Sequence, residues 1–450
     1  TEREFLDVQT PILANSSPEW ARDFLVPSRI NPGEFYALPQ APQQFKQLLM
    51  VGWIDKYFQI APCFRDEDPR ADRHAWDFYQ IDCEMSFVEQ DDVFTVVEDF
   101  LTDITNKLSD KKILNNTVWN DLIRNNWKFF TLTHEQAMEK YGSDKPDLRY
   151  GMNLIDVKDI FSRSTNEIFS WIASKEWNRI KAIKVVNWDN IFSKTQMKGF
   201  EKYVRQYWAG WLWYFQMKED WLKWPLNKFF SEEDLNEIVK RTNLEIWDVI
   251  FFWAWEKKVV LNYMGKFRNY LAELTNIINN GEISFCWIID FPIFEEDEAT
   301  WKIDFEHNPF SMPVWWIEEF NKDWKDLLNV KWLQYDLSCN GYEILSWAIR
   351  NHDIWSLVKA FEKVGRSEQE VKDKFWATYE AFQYWVPPHG WFAIWMDRLM
   401  MIYLDETNIR DVYAFPKSGS AQDTMMNSPA IVEENLLDEL KIKLIKDDKD

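Results

Sequence analysis

Residues 57–85, YFQIAPCFRDEDPRADRHAWDFYQIDCEM, restrict the fold more than any other part of the chain. Residues 57–61 are apolar and aromatic. Residues 65–77 hold three arginines, several acids and a proline, which is turn chemistry. From Phe78 the pattern alternates: Ile81, Cys83 and Met85 share one face, and Gln80, Asp82 and Glu84 the other. The stretch reads as strand, polar loop, strand, with Arg65 ending the first strand and a polar stripe along the second. Buried, such a hairpin is a nucleotide and substrate floor. The same spacing also fits an exposed loop beside a solvated strand face.

Around this stretch the chain divides by character. A helix is expected after Pro42, with Phe45, Leu48 and Leu49 on one side and Lys46 nearby, and another over 89–108, where Val93, Val97, Phe100, Ile104 and Leu108 recur at helical spacing. Residues 151–284 read as a self-contained α+β insert, with strands expected at 181–186, 211–217 and 249–252 and helices at 198–208, 232–241 and 257–278. Polar, chemistry-bearing residues resume after Ser284. With 450 residues the chain is long enough for roughly three domains. One catalytic domain split into 1–150 and 285–450 by an insert at 151–284 explains the pattern better than three units in series.

Composition narrows the function. The four cysteines are scattered and the five histidines lack ligand spacing, so neither a disulfide framework nor a zinc site is expected. No apolar run is long enough to span a bilayer. Residues 1–7 do not read as a signal peptide, and a cytoplasmic enzyme is expected. A net charge of -22 argues against unspecific nucleic-acid binding over the whole surface while leaving room for a local basic patch.

Two counts are abnormal: 12 glycines and 28 tryptophans, where glycine alone is usually ~7% of residues. Tryptophan also sits where turns want glycine, as in Asn187-Trp188-Asp189, Asp323-Trp324-Lys325 and Gly390-Trp391. The expectation is that many of these tryptophans are glycine in the living cell, through a codon that the organism reads as glycine. A protein that is truly rich in tryptophan is the alternative.

The segments TPIL, PEWARDFLVPSR, ALPQAPQQFKQLLM, CFRDEDPRADR, YQIDCEMSF, YGSDKPDLR, FEHNPFSMP, NGYEILSWAIRNHD and HGWFAIWMDRL fall in order along the chain. Together they resemble bacterial-type aspartyl-tRNA synthetase, a class II aminoacyl-tRNA synthetase. The resemblance implies an α+β fold: an antiparallel sheet flanked by helices, with the GAD domain as the insert. It implies a homodimer and an aspartate–tRNA ligase that uses ATP and Mg²⁺ to form aspartyl-adenylate and then charges tRNA(Asp), and in some members tRNA(Asn). The family carries an OB-fold anticodon-binding domain before the point where this chain starts, and that domain is expected to be missing. An asparagine-specific relative and a non-catalytic paralogue are the rival readings.

The resemblance also assigns roles. Arg65 takes the α-phosphate and the substrate carboxylate, and Arg398 the γ-phosphate; with Glu343 these form the catalytic set. Asp66, Glu67, Glu343, Trp395, Met396, Asp397 and Arg398 line the ATP site with Arg65. Asp336 and Glu343 hold the metal, an ion that prefers oxygen ligands and few protein groups. Lys46 and Arg350 read the aspartate side chain, Gln43 and His307 complete that pocket, and Glu19 and Asp82 hold the ammonium. Without the resemblance, Asp336 and Glu343 read as surface acids, His307 as a loop histidine, Arg65 as an ion pair with Asp66 or Asp68, and Arg398 as one with Asp397 or Asp405. The family has glycine where this chain has Trp20, Trp53, Trp76, Trp347, Trp391 and Trp395.

Overall fold

The structure is a computed structural model that describes residues 3–16, 21–67, 71, 75–114, 128–188, 200, 203, 212–219, 221–223, 227–296, 302–306, 310–314 and 324–445. Its centre is an eight-stranded sheet in the spatial order Leu6–Asp7, Lys56–Phe64, Asp77–Ser86, His389–Trp395, Tyr342–Ile349, Gln334–Cys339, Phe285–Ile289, Phe130–Thr133. The six inner strands run antiparallel and each outermost strand is parallel to its neighbour. The sequence-based hairpin is present, pairing Lys56 with Met85 at one end and Phe64 with Asp77 at the other.

Strand alternation gives this sheet two unlike faces. One is apolar: Cys83, Met85, Leu337, Leu345, Trp347, Phe392 and Ile394 form one core with Trp287. Helix Gln90–Leu108 covers it with Val93, Phe94, Val97 and Leu101. That helix starts where the sequence asks it to, with the Asp92 carboxylate accepting the Glu89 N–H at 2.9 Å. The opposite face is polar. Register places Gln59, Asp82, Ala393, Ser346 and Asp336 in one row across five strands. Glu84, Trp391 and Ala348 form the next row.

A second, five-stranded sheet draws all its strands from one stretch, in the order Trp221–Lys223, Trp213–Lys218, Val249–Glu256, Asn178–Val185, Ile155–Asp156. Helices Lys158–Ser162, Glu167–Ser174 and Glu232–Thr242 pack on one side, and helix Lys257–Leu274 on the other. This helix also meets the end of helix His134–Tyr141 at very close range. A Cβ on Gly142 (φ +65°) would lie 2.2 Å from the Leu261 carbonyl oxygen, and one on Gly265 would lie 2.2 Å from that of Gly142. Only glycine fits at this contact. Buried Arg268 fixes the junction by donating to the carbonyls of Asp147, Tyr150, Gly151 and Met152 at 2.8–3.2 Å.

Three expectations need correction. Helix Gln43–Val51 buries Lys46, Gln47 and Met50, not Phe45, Leu48 and Leu49. Its inward side is polar because it roofs the polar face of the sheet, so apolar periodicity pointed to the wrong side. Trp391 lies inside strand His389–Trp395 and is not a turn residue, and Trp324 is the first residue of helix Trp324–Leu327. At the third of those sites the positive φ belongs to Asn187 (φ +55°) rather than to Trp188. The helix expected at 198–208 lies largely outside the described residues, as does Trp20.

Candidate active site

The polar stripe of strand Asp77–Ser86 is buried, with Asp82 1% and Glu84 0% exposed. The exposed-strand alternative therefore fails. Lys46, from the helix above, lies 2.5 Å from Asp82 and 3.6 Å from Glu84. Tyr57 donates its hydroxyl to the other Asp82 oxygen at 2.8 Å. Burial pushes the Asp82 carboxyl up against the pull of Lys46. Arg350, fully buried at the end of strand Tyr342–Ile349, lies 3.4 Å from Glu84 and donates to Gln43 Oε1 at 2.7 Å. His389 donates through Nδ1 to the Pro387 carbonyl at 2.8 Å. Burial lowers its pKa to about 3, so the ring is neutral.

Charge in this floor is not fully spent. Among the described residues Arg350 Nη1, Gln43 Nε2, Gln59 Nε2 and Glu84 Oε2 are buried without a hydrogen-bond partner. Buried donors and acceptors of this kind are costly unless something pairs them. The Trp391 indole occupies the gap, with Lys46 Nζ 3.8 Å and Arg350 Cζ 4.3 Å from a ring centroid. Its own Nε1 is buried and unpaired.

A second slot opens where the hairpin turns. Arg65 follows strand Lys56–Phe64, and its N–H donates to the Trp76 carbonyl at 2.8 Å. It makes no ion pair among the described residues, and its Nε is buried without a hydrogen-bond partner there. Asp66 bridges Arg22 by its backbone, and Glu67 follows it. Across the slot Met396 opens helix Met396–Leu404, which carries Asp397 and Arg398 in its first turn. Asp397 accepts the Tyr79 N–H at 3.3 Å, and burial raises its carboxyl. Trp395 fills the middle: it stacks on Phe78 at 4.4 Å, with Arg398 Cζ 4.1 Å and Arg65 Cζ 5.0 Å from its ring. An aromatic floor under a guanidinium is a ready cradle for a flat, electron-rich ring.

Beyond this slot stand the two acids. Asp336 and Glu343 come from the two strands of one hairpin, with a register shift between Leu337 and Ser338. Arg398 donates to the Glu343 carbonyl at 2.7 Å and lies 3.9 Å from its carboxylate. Lys145 lies 3.3 Å from Glu343 and also pairs with Asp144. Burial and the neighbouring Glu343 charge push the Asp336 carboxyl well above the usual carboxylate range, and its Oδ1 is buried without a partner. Two repelling carboxylates, one of them incompletely satisfied, fit a divalent cation. Among the described residues no group of three or more metal-ligating side chains forms, so a cation here would share its shell with substrate oxygens.

Gln43, Lys46, Arg65, Asp82 and Arg350 thus lie on or beside the polar face of the sheet, here called the cleft face, which also carries Asp336 and whose strand His389–Trp395 leads into the 395–398 segment. Glu19 and His307 lie outside the described residues. The assignment of Lys46 to a substrate carboxylate and Asp82 to an ammonium meets a complication, because the two are paired with each other. Sequence reasoning assigned no role to Tyr57, Glu84, His389 or Lys145. Glu84 was visible on the polar stripe, whereas the pairing of Lys145 depends on a contact across two hundred residues. Among the described residues no helix is long and apolar enough to cross a membrane.

Comparison with known proteins identifies the family of this chain. An aspartate–tRNA(Asp/Asn) ligase of Sulfurovum sp. is 49% identical over 444 residues, which cover 98% of this chain and 72% of that protein. One from Campylobacter concisus is 48% identical over 442 residues, again 98% and 72%. The solved aspartyl tRNA synthetase from Entamoeba histolytica is a distant likeness: 19% identity, a TM-score of 0.42, and coverage of 92% of this chain and 54% of that one. Residues 1–419 match the class II tRNA synthetases (D, K and N), and the chain belongs to that family.

Proposed function

We propose that this chain is an aspartate–tRNA ligase, activating L-aspartate with ATP and passing it to the 3′ end of tRNA(Asp), and of tRNA(Asn) as the names of its relatives suggest. The observation that carries this reading is the buried cluster of Arg350, Lys46 and Gln43 beside Glu84. A guanidinium fork with an unpaired Nη1 favours a carboxylate over an amide, because an amide leaves buried donors poorly matched. This disfavours an asparagine-specific enzyme. The presence of Arg65, Glu343 and Arg398 disfavours a non-catalytic paralogue.

In the first step an α-carboxylate oxygen of aspartate bonds to the α-phosphorus of ATP. The bond from that phosphorus to the bridging oxygen breaks, and pyrophosphate leaves. Arg65 neutralises charge at the α-phosphate and Arg398 at the far end of the triphosphate. Asp66, Glu67 and the 395–398 segment bound the nucleotide. In the second step the terminal tRNA ribose hydroxyl takes the aspartyl group and AMP leaves. Neither step needs covalent help from the protein; positioning and charge neutralisation suffice. Asp336 and Glu343 would hold Mg²⁺, which when bound neutralises phosphate charge. Glu343 also holds Arg398 in place, and Lys145 holds Glu343. Asp82 becomes available to the substrate ammonium if Lys46 turns toward the substrate carboxylate.

In this reading 1–150 and 285–450 form the catalytic unit and 151–284 is a GAD-type insert; the enzyme is a cytoplasmic homodimer. The test is aspartate-dependent exchange of pyrophosphate into ATP by the protein with glycine at 391 and 395. Exchange with aspartate and none with asparagine is expected. Equal exchange with both would overturn the specificity.

A further inference from the structure

We infer that the working protein carries glycine, not tryptophan, at positions 53, 247, 391 and 395, and tryptophan at 287. Two independent kinds of observation lead here.

The first is backbone conformation. Helix Gln43–Val51 ends in two backbone bonds: Trp53 N–H to the Met50 carbonyl at 3.0 Å and Ile54 N–H to the Leu49 carbonyl at 3.1 Å. This is the Schellman ending, and its left-handed residue is Trp53, at φ +64°. Glycine takes that position because a Cβ there is penalised. Trp247 has φ +76°. It is the third residue of a turn closed by the Asp248 N–H on the Glu245 carbonyl at 3.0 Å. Positive φ at that place is the signature of a turn built on glycine. A bulky aromatic at such an angle is an outlier, and two of the three here are tryptophans, the third being Phe87 (φ +55°). Trp53 is 63% exposed and its indole stacks only at the surface, on the half-exposed Trp385 at 4.7 Å, so little burial offsets the strain.

The second is occupancy. Trp391 and Trp395 sit on the cleft face of one strand, and each indole fills a slot between groups that otherwise face a gap. Trp391 stands between Lys46 and Arg350 with its own N–H buried and unpaired. Trp395 is sandwiched by Phe78 and Arg398. With both rings in place, the anion-reading groups and the flat cradle are closed to any ligand. Removing two side chains opens both and leaves the strand pairing intact, since its bonds are backbone bonds. Trp287 is the contrast: its Nε1 donates to Glu98 at 3.0 Å and its ring stacks on Phe94 at 4.0 Å. It has the partners a buried indole needs.

A single cause covers all four positions and the shortage of glycine: one codon that the source organism reads as glycine, rendered here as tryptophan. The argument at 391 and 395 rests on the cleft being a substrate site, as proposed above; the argument at 53 and 247 does not. The test is peptide mass spectrometry of the protein purified from its own organism, covering positions 53, 247, 287, 391 and 395. Glycine at the four positions with tryptophan at 287 is the expected result. Tryptophan at 391 and 395, in protein that still forms an adenylate, overturns the inference, as does glycine at 287. In parallel, the chain as written and its Trp53→Gly/Trp247→Gly/Trp391→Gly/Trp395→Gly variant are compared for ATP binding by calorimetry. Saturable binding is expected only in the variant, and equal binding by the two would contradict the occlusion. If the native peptides carry glycine but the variant fails aspartate-dependent exchange, the inference stands and the proposed activity falls.

Discussion

The two faces of the eight-stranded sheet are made by the same strands, one residue apart, yet they are satisfied by different things. On the core face Leu337, Leu345, Phe392 and Ile394 meet other apolar side chains of the chain itself. On the cleft face Glu84 and Arg350 are equally buried but reach only part of what their charges require. The first face is complete as it stands. In the function proposed above, a ligand completes the second, so that one rigid sheet serves as both core and substrate floor. Truncations on the two faces should therefore register in different measurements.

The largest effect is expected on the cleft face. In the glycine-carrying protein Arg350→Leu should cost on the order of 2–5 kcal/mol in kcat/KM for aspartate, because it leaves a buried carboxylate unpaired. A neutral result in pyrophosphate exchange would remove Arg350 from the pocket. On the core face Leu337→Ala should cost a similar ~2–5 kcal/mol, but in stability, read by denaturant unfolding. Its kcat/KM per folded molecule should stay unchanged; a selective loss of aspartate recognition would show that the two faces are not separable.

The acids sharpen the comparison. The folded-state pKa of Asp336 is raised, so folding favours its protonated form. Its contribution to stability is full below the unfolded value near 4 and is lost as pH rises through the folded value. Asp336→Asn should accordingly raise the melting temperature at neutral pH while weakening Mg²⁺-dependent exchange. Mg²⁺ alone should stabilise the unsubstituted protein more at pH 7.5 than at pH 5. An Asn variant that melts lower at neutral pH would contradict the repulsion.

The smallest effect concerns His389, neutral in the fold with its pKa lowered to about 3. Its unfolded form takes up a proton near pH 6.5, so stability should fall as pH drops below that value, by roughly 1–2 kcal/mol by pH 5. His352 is also lowered by burial and adds to the slope. His389→Gln should flatten the slope of unfolding free energy against pH. An unchanged slope would mean that His389 titrates alike in both states.

Much of this was legible in the sequence because periodicity reports burial. The alternation in residues 78–85 gave both faces of strand Asp77–Ser86, and the 3.6-residue recurrence gave helix Gln90–Leu108 to within one residue. Periodicity failed where the buried side is polar, as in helix Gln43–Val51, since Lys46 and Gln47 carry no apolar signal. It could not locate positive φ either. Adjacent glycine-like turns drew attention to Trp188 and Trp324, whereas the tryptophans at positive φ are Trp53 and Trp247, whose angles are set by helix termination and by a tight turn. The cleft's quartet of Lys46, Asp82, Glu84 and Arg350 joins three separate segments, so the sequence supplied its members but not their pairing.

The claim that the cleft face is finished by an aspartyl group on a nucleotide is tested most directly by thermal unfolding with non-hydrolysable adenylate analogues. In the glycine-carrying protein a saturating aspartyl analogue should stabilise the fold by about 2–4 kcal/mol, as ligand at 100 to 1,000 times its Kd must. The asparaginyl analogue at the same concentration should do far less, and Arg350→Leu should abolish the difference. Equal stabilisation by the two analogues, or none by either, would contradict the account.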